Sequence, residues 1–493
     1  MSVGEFTVSN IHMDEDKREE EKQKDSSLDI DNFKADVAAA VQLAEQGDLT
    51  RSLEGLLNLE KQARVAEDVT ASKAACSAVL EVCHKAKDLK QLEEHIVLLA
   101  KRRGQLKQVI QAFVRQAMAY IDGLPDKESQ VSLIKTLQTV TEGKIFVEIE
   151  RARLTRKLAA MREAEGNIAE AADTLQEVAV ETFGAMAKTE KIAYILEQVR
   201  LCLAKRDFIR AQILARKISP RAFQKQQGDS TGEIGIEGTA IEEADAGIPS
   251  LGELKLRYYQ LMITYHQHYH SYLEICRCYK AIYESEGVQD DPAVWGPVLK
   301  KICWYAVLAP KYSTDEGSSS DVTTLITTTA GYKQMGDLPL HKQLLSTFTN
   351  PEIVRWGLFE AQFGPEVAAE SDVFSGEYGE KRQADLKLRV TEHNLLTVAK
   401  YYTRITTARL AELLDLTPDQ AEKQLAELVV AKAVCAKVDR PAGVVVIGKP
   451  QQPEDTLNAW SANIGKLLNL VEKATQQIQK EAMVHKVQLG GAA

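Results

Sequence analysis

The chain reads as an all-α-dominated protein: a right-handed, TPR-like helical-repeat solenoid, then a winged helix, then one long C-terminal helix. Three patterns in the 493 residues predict this. Capped turns recur about every 40 residues in the first half. Residues 390–449 run helix, short strand, helix, turn, helix, hairpin. The last element carries apolar residues at alternating steps of three and four.

The first 31 residues hold seven acids and four bases between Asp14 and Asp25. So little apolar surface cannot offset the entropy of ordering, which predicts a disordered acidic tail. The same stretch has acids where a signal peptide needs an apolar core, and no uncharged run approaches the ~20 residues of a membrane span. An intracellular protein is expected.

From 32 to 223 the turns Gln46-Gly47-Asp48-Leu49, Ala86-Lys87-Asp88-Leu89, Glu165-Gly166-Asn167-Ile168 and Lys205-Arg206-Asp207-Phe208 align, with Asp126 supplying the unit between. Asp or Asn caps the helix that follows, and Gly47 and Gly166 end the helix before in a left-handed conformation. The helices are amphipathic: Leu49, Leu53, Leu56, Leu57; Leu89, Leu92, Ile96, Leu99; Ile168, Ala172, Leu175, Ala179. A lone hairpin cannot bury such a face, so the units stack.

The Gly-rich acidic segment 224–252 reads as a loop. Helices resume over 253–389, interrupted by a polar loop at 311–321 and a Gly-containing acidic connection at 364–384. In the winged helix, 390–449, Thr417 caps, Pro418 takes the first helical position and Gln420 completes a capping box. Val434, Ala436 and Val438 alternate before the turn, and Val444 to Ile447 return. In the region 450–493 Leu457, Trp460, Ile464, Leu467, Val471, Ala474 and Ile478 form a heptad seam that calls for partner helices.

Charge narrows the function. The chain carries a net −10 with a pI near 5.6. The winged helix has eight bases against seven acids, and its third helix is a poor surface for a phosphate backbone. No nucleic acid and no membrane are expected as partners.

Chemistry is sparse. His266 and His270 at i, i+4, with Cys276, are the densest potential zinc ligands, yet no HExxH or CxxC accompanies them. The tyrosines at 258, 259, 265, 269, 272 and 279 sit at helical spacing beside Leu261, Ile263 and Ile275, which is a core pattern rather than a base-stacking platform. Glu148, Glu150, Glu242 and Glu243 read as solvated acids. The seven cysteines read as buried reduced thiols. No catalytic residue, cofactor or metal site is predicted, and the chain is expected not to be an enzyme.

The strings SYLEICRCYKAIYE (271–284), HNLLTVAKYYTRIT (393–406), LAELLDL (410–416) and AKVDRPAG (436–443) make the chain similar to the PCI family, specifically to non-ATPase scaffold subunits of the proteasome regulatory-particle lid, with a paralogue in the signalosome. The resemblance spans about 33–488. It implies winged helices placed edge to edge and C-terminal helices gathered into a bundle, within a hetero-oligomer supporting ubiquitin-dependent proteolysis in cytoplasm and nucleus. On this chain the edge contact would use Val434, Ala436, Val438, Val444 and Val446, and the bundle Leu457, Trp460, Ile464, Leu467, Val471 and Ile478. Implied partners are other PCI lid subunits, the zinc deubiquitinase subunit and, through the solenoid, the ATPase ring and core particle.

Overall fold

The computed structural model describes residues 30–46, 48–124, 126–223, 247–285, 287–311, 318–448 and 453–485. The acidic tail up to 29, Gly47, and the Gly-rich segment from 224 to 246 with Glu242 and Glu243 lie outside them. The chain divides into two units, residues 1–269 and 270–493.

The first unit is a stack of helices: α1 (Ile30–Glu45), α2 (Leu49–Val65), α3 (Val69–Lys85), α4 (Leu89–Lys101), α5 (Lys107–Ile121), α6 (Lys127–Thr141), α7 (Glu148–Ala164), α8 (Ile168–Gln176), α9 (Lys188–Ala204), α10 (Phe208–Arg216) and α11 (Leu251–His268). Helices start where the repeat places them, and three of the turns share one construction. After α7, Gly166 at φ +87° donates to Glu163 O at 2.9 Å and Asn167 to Arg162 O at 3.0 Å. That pair of bonds is a Schellman turn. After α9, Arg206 at φ +65° and Asp207 repeat it on Leu203 O and Cys202 O. Glu67 does the same after α2, with Asp68, a cap absent from the sequence repeat. The residue after the left-handed one then starts the next helix. Asp68, Asp88 and Asp207 accept backbone N–H bonds through their side chains, whereas Asp48, Asp126 and Asn167 start helices without such a bond.

Leu53, Leu56, Leu92, Ile96, Leu99, Ala172 and Leu175 are buried as their spacing requires. Ile168 and Ala179 are not: α8 stops at Gln176, so Ala179 leaves the helical phase, and Val178 and Val180 enter the core instead. One core runs from Ala40 to Leu158 and a second from Ile149 to Leu254.

The stack is also joined by charge at the period of the repeat. Arg115 reaches Glu150, Arg153 reaches Glu190 and Arg200 reaches Glu163, across 35, 37 and 37 residues. Glu150 is only 1% exposed, which corrects its reading as a solvated acid. Arg153 holds Glu190 with two bonds of 2.8 and 2.9 Å. Glu60, fully buried, is gripped by Arg64 and Arg102.

In the second unit α12 (Tyr272–Tyr283), α13 (Pro292–Leu308), α14 (Ser318–Ala330), α15 (Pro339–Thr349), α16 (Trp356–Ala369), α17 (Ser371–Phe374) and α18 (Gly379–Tyr401) precede the winged helix. Two expectations fail here. Residues 364–384 are not a loop: α16 continues to Ala369, and α17 and α18 follow because Val373, Phe374 and Arg382 are buried among their neighbours. The polar loop also ends earlier than 321, since α14 starts at Ser318.

The α17–α18 turn is tight enough to demand glycine. A Cβ on Gly379 would lie 2.4 Å from Phe374 O. Gly379→Ala is therefore expected to destabilise this unit by roughly 1–3 kcal/mol, typical of overpacking, read as faster amide exchange in α18.

Asn394 fixes the extended segment before α16 to α18, donating to Val354 O at 2.7 Å and accepting from Val354 N at 2.8 Å. One residue earlier on α18, His393 Nε2 meets Glu352 O at 3.1 Å. Burial first, then the nearby Lys311 charge, pushes His393 down to about 4. The unfolded chain thus binds this proton from an ordinary pKa near 6.5 downward while the native state refuses it. Stability falls as pH drops from about 6.5 toward 4. By pH 5 the contribution is about 2 kcal/mol, and it appears as the difference between wild type and His393→Phe in α18 exchange protection.

Candidate partner-binding surfaces

The winged helix follows the order its sequence dictates: the end of α18, β1 (Arg404–Thr406), α19 (Thr407–Leu414), α20 (Pro418–Val430), β2 (Ala436–Asp439) and β3 (Val444–Ile447). The capping box forms, Thr417 Oγ1 accepting from Gln420 N and Gln420 Oε1 from Thr417 N, each at 3.4 Å. Thr406 caps α19 through Arg409 N. Leu395, Ile405, Leu410, Leu425, Val434 and Val445 form the core.

The sheet order is β1-β3-β2, all antiparallel. This changes the expected edge contact. β3 is the central strand, hydrogen-bonded on both sides, so Val444 and Val446 cannot extend a partner's sheet. Val446 instead stands 47% exposed on the outer face, in register with Arg404 and Lys437. Val434 is 6% exposed and belongs to the core, two residues before β2 begins. The edge available on the hairpin is β2, where Ala436 packs inward and Val438 lies at the rim. Val438 pairs with the buried Val445, so its side chain faces the core side, yet among the described residues no further strand covers it.

Beside that edge lies an open groove of about 690 Å³ between α20 and β2, lined by Ala426, Val429, Val430 and Val438. Val430 is 79% exposed. Arg440 in the hairpin turn holds Glu422 of α20 at 2.6 Å, and both residues line the groove. Edge strand and apolar groove together are the elements of β-augmentation with side-chain specificity.

The second surface is α21 (Pro453–Val484), 32 residues and hence about 48 Å long. Not one of its described residues is buried. Leu457, Trp460, Ile464, Leu467, Val471 and Ile478 are all exposed, as the seam predicts for a helix without its partners. Leu468 and Leu470, which the seam omits, are also exposed and widen the stripe. A stripe this wide exceeds a two-helix contact and suits a helix surrounded by several others.

The zinc arrangement does not form as read. α11 ends at His268, and His270 sits in the following turn at φ +54°, so His266 and His270 do not share a helix face. Cys276 is buried against Ile302 O, and burial pushes its thiol up to about 12. Tyr265 and Tyr272 are buried, while Tyr269 is 48% exposed. Six cysteines are buried and Cys435 is exposed, the exception to the expectation for thiols. No helix among the described residues is long and apolar enough to cross a membrane.

Comparison with known proteins agrees with this architecture. Residues 51–232 and 243–291 match the family described as PSMD12/CSN4, N-terminal; residues 371–449 match the PCI domain; residues 454–486 match the 26S proteasome regulatory subunit RPN5 C-terminal domain. Among relatives, the 26S proteasome non-ATPase regulatory subunit 12 homolog A of Arabidopsis thaliana is 51% identical over 447 residues, covering 91% of this chain and 100% of the relative. Homolog B from the same plant is 50% identical with the same coverage. The 26S proteasome non-ATPase regulatory subunit 12 of Dictyostelium discoideum is 39% identical over 90% of this chain and 92% of its own length. With identity sustained over nine-tenths of its length, through repeat, winged helix and final helix alike, the chain belongs to the family of the 26S proteasome non-ATPase regulatory subunit 12.

Proposed function

We propose that the chain is a non-catalytic scaffold of the proteasome regulatory-particle lid, ordering lid assembly in ubiquitin-dependent protein degradation. The observation that carries this reading is α21, whose apolar stripe is wholly exposed in the isolated chain. Its winged helix contacts other PCI lid subunits through the β2 edge and the groove beside it. Its final helix enters a bundle with theirs. The zinc deubiquitinase subunit is a further neighbour, and the repeat unit reaches toward the ATPase ring and core particle. The chain performs no catalysis of its own, and it acts in cytoplasm and nucleus as part of a hetero-oligomer.

The test is capture of the tagged chain from native extract, with separation of large species and a peptidase assay. Co-purifying peptidase and ubiquitin-conjugate-degrading activity is the expected result. A large complex lacking peptidase would transfer the chain to the paralogous signalosome, and a free monomer would end the scaffold reading.

A further inference from the structure

A second cavity, of about 500 Å³, lies within the second unit where helices α13 to α15 and α18 meet the base of the hairpin. Its lining is lopsided in charge. Lys311, Lys400 and Lys432 line it, and no Asp or Glu does. Among the described residues none of the three lysines has an ion pair. Lys311 donates to Phe348 O at 2.8 Å, and its ammonium stands 5.9 Å from the centre of the Phe348 ring. The acid whose field reaches Lys311 is Glu392, which is held by Arg389 at 2.6 Å and stays outside the lining. His393, on the same wall, is neutral at physiological pH.

Lysines set around one cavity repel each other, and burial makes this costlier for Lys311, whose ammonium is pushed down by desolvation and then by Lys400. The attraction of an entering anionic group offsets both costs. The Schellman turn ending α20, with Lys432 N on Val429 O and Ala433 N on Leu428 O, fixes the backbone of one lysine in place before any ligand arrives. The floor is different in character: Ile326, Phe348 and Leu396 make it apolar. A bare polyphosphate would leave that floor unused. A segment of peptide with carboxylates flanking an apolar side chain would satisfy both parts.

We propose that this cavity receives an acidic peptide segment from a partner subunit, its apolar side chain over Phe348 and its carboxylates on Lys311, Lys400 and Lys432. The identity of the donor as a subunit rests on the scaffold reading above; the chemistry of the cavity does not.

Cys435 lines the same cavity and is exposed, whereas the other six thiols are buried. Its alkylation rate, followed by mass spectrometry, therefore reports occupancy. On the isolated full chain at low salt, an alternating Glu–Leu dodecapeptide is expected to slow Cys435 alkylation at least fivefold and a Glu–Ser peptide to do so less. The Lys400→Glu, Lys432→Glu double variant should abolish the effect. In the assembled particle, a benzophenone maleimide on Cys435 should capture a segment in which Asp or Glu flanks an apolar residue. No slowing by the Glu–Leu peptide, slowing that survives charge reversal, or a captured segment without carboxylates would each overturn the proposal. So would tripolyphosphate protecting Cys435 while the assembled particle alkylates as fast as the free chain, which would assign the cavity to a small polyanion. Failure of the chain to assemble would sink the scaffold reading alone, since the peptide arm still decides the cavity.

Discussion

A chain lacking residues 455–493 is expected to fold as before and to be absent from the large particle. Nothing in its own structure depends on that segment, because no described residue of α21 is buried. The far-ultraviolet circular dichroism should lose only the signal of α21 itself. Collapse of the whole helical spectrum would show instead that α21 supports the rest of the chain. The finer version of the experiment is Leu467→Asp with Val471→Asp. Both side chains are more than half exposed in the free chain, at 60% and 55%, so the variant costs little before assembly. Inside a bundle each carboxylate would be desolvated without a partner, at about 3 kcal/mol apiece. Together this weakens association on the order of 10⁴-fold. Normal incorporation of the double variant, judged by co-sedimentation with peptidase activity, would remove the stripe from the interface.

The second large effect lies in the repeat. Arg153→Met is expected to destabilise the first unit by about 3–5 kcal/mol, because it strands a carboxylate that is 4% exposed. Most of the loss is the cost of an unpaired buried charge, so adding Glu190→Leu should recover much of it. The chain has two units and need not unfold in one step. The suitable readout is hydrogen exchange across α7 and α9, where the single variant should exchange faster and the double variant nearly as wild type. Equal exchange in wild type and Arg153→Met would mean that Glu190 finds another partner or water.

Much of this was legible in the linear chain. Thr417, Pro418 and Gln420 announce the start of α20, and they do so because a capping box is satisfied within four residues. Asp88, Gly166 and Asp207 mark turns for the same local reason. The seam of α21 is legible because helical periodicity needs no knowledge of what lies across it. Asp68 was missed because it falls halfway between Asp48 and Asp88, off the 40-residue step, although Glu67 before it takes the same left-handed backbone as Lys87. The stretch 364–384 was misread because glycine and acid content describe solvent preference, while Val373, Phe374 and Arg382 there are recruited by helices distant in sequence.

By itself, then, the sequence determined the helical repeat, the winged helix and the exposed final stripe, since each follows from bonds and spacings within about one turn of chain. Only the tertiary structure decided that β3 is central and β2 an edge, that Val434 is core, that Glu150 and Glu190 are buried partners of arginines 35 to 37 residues away, and that three lysines line one cavity. Those facts depend on which distant segments meet, and burial, pairing and local charge exist only once they have met.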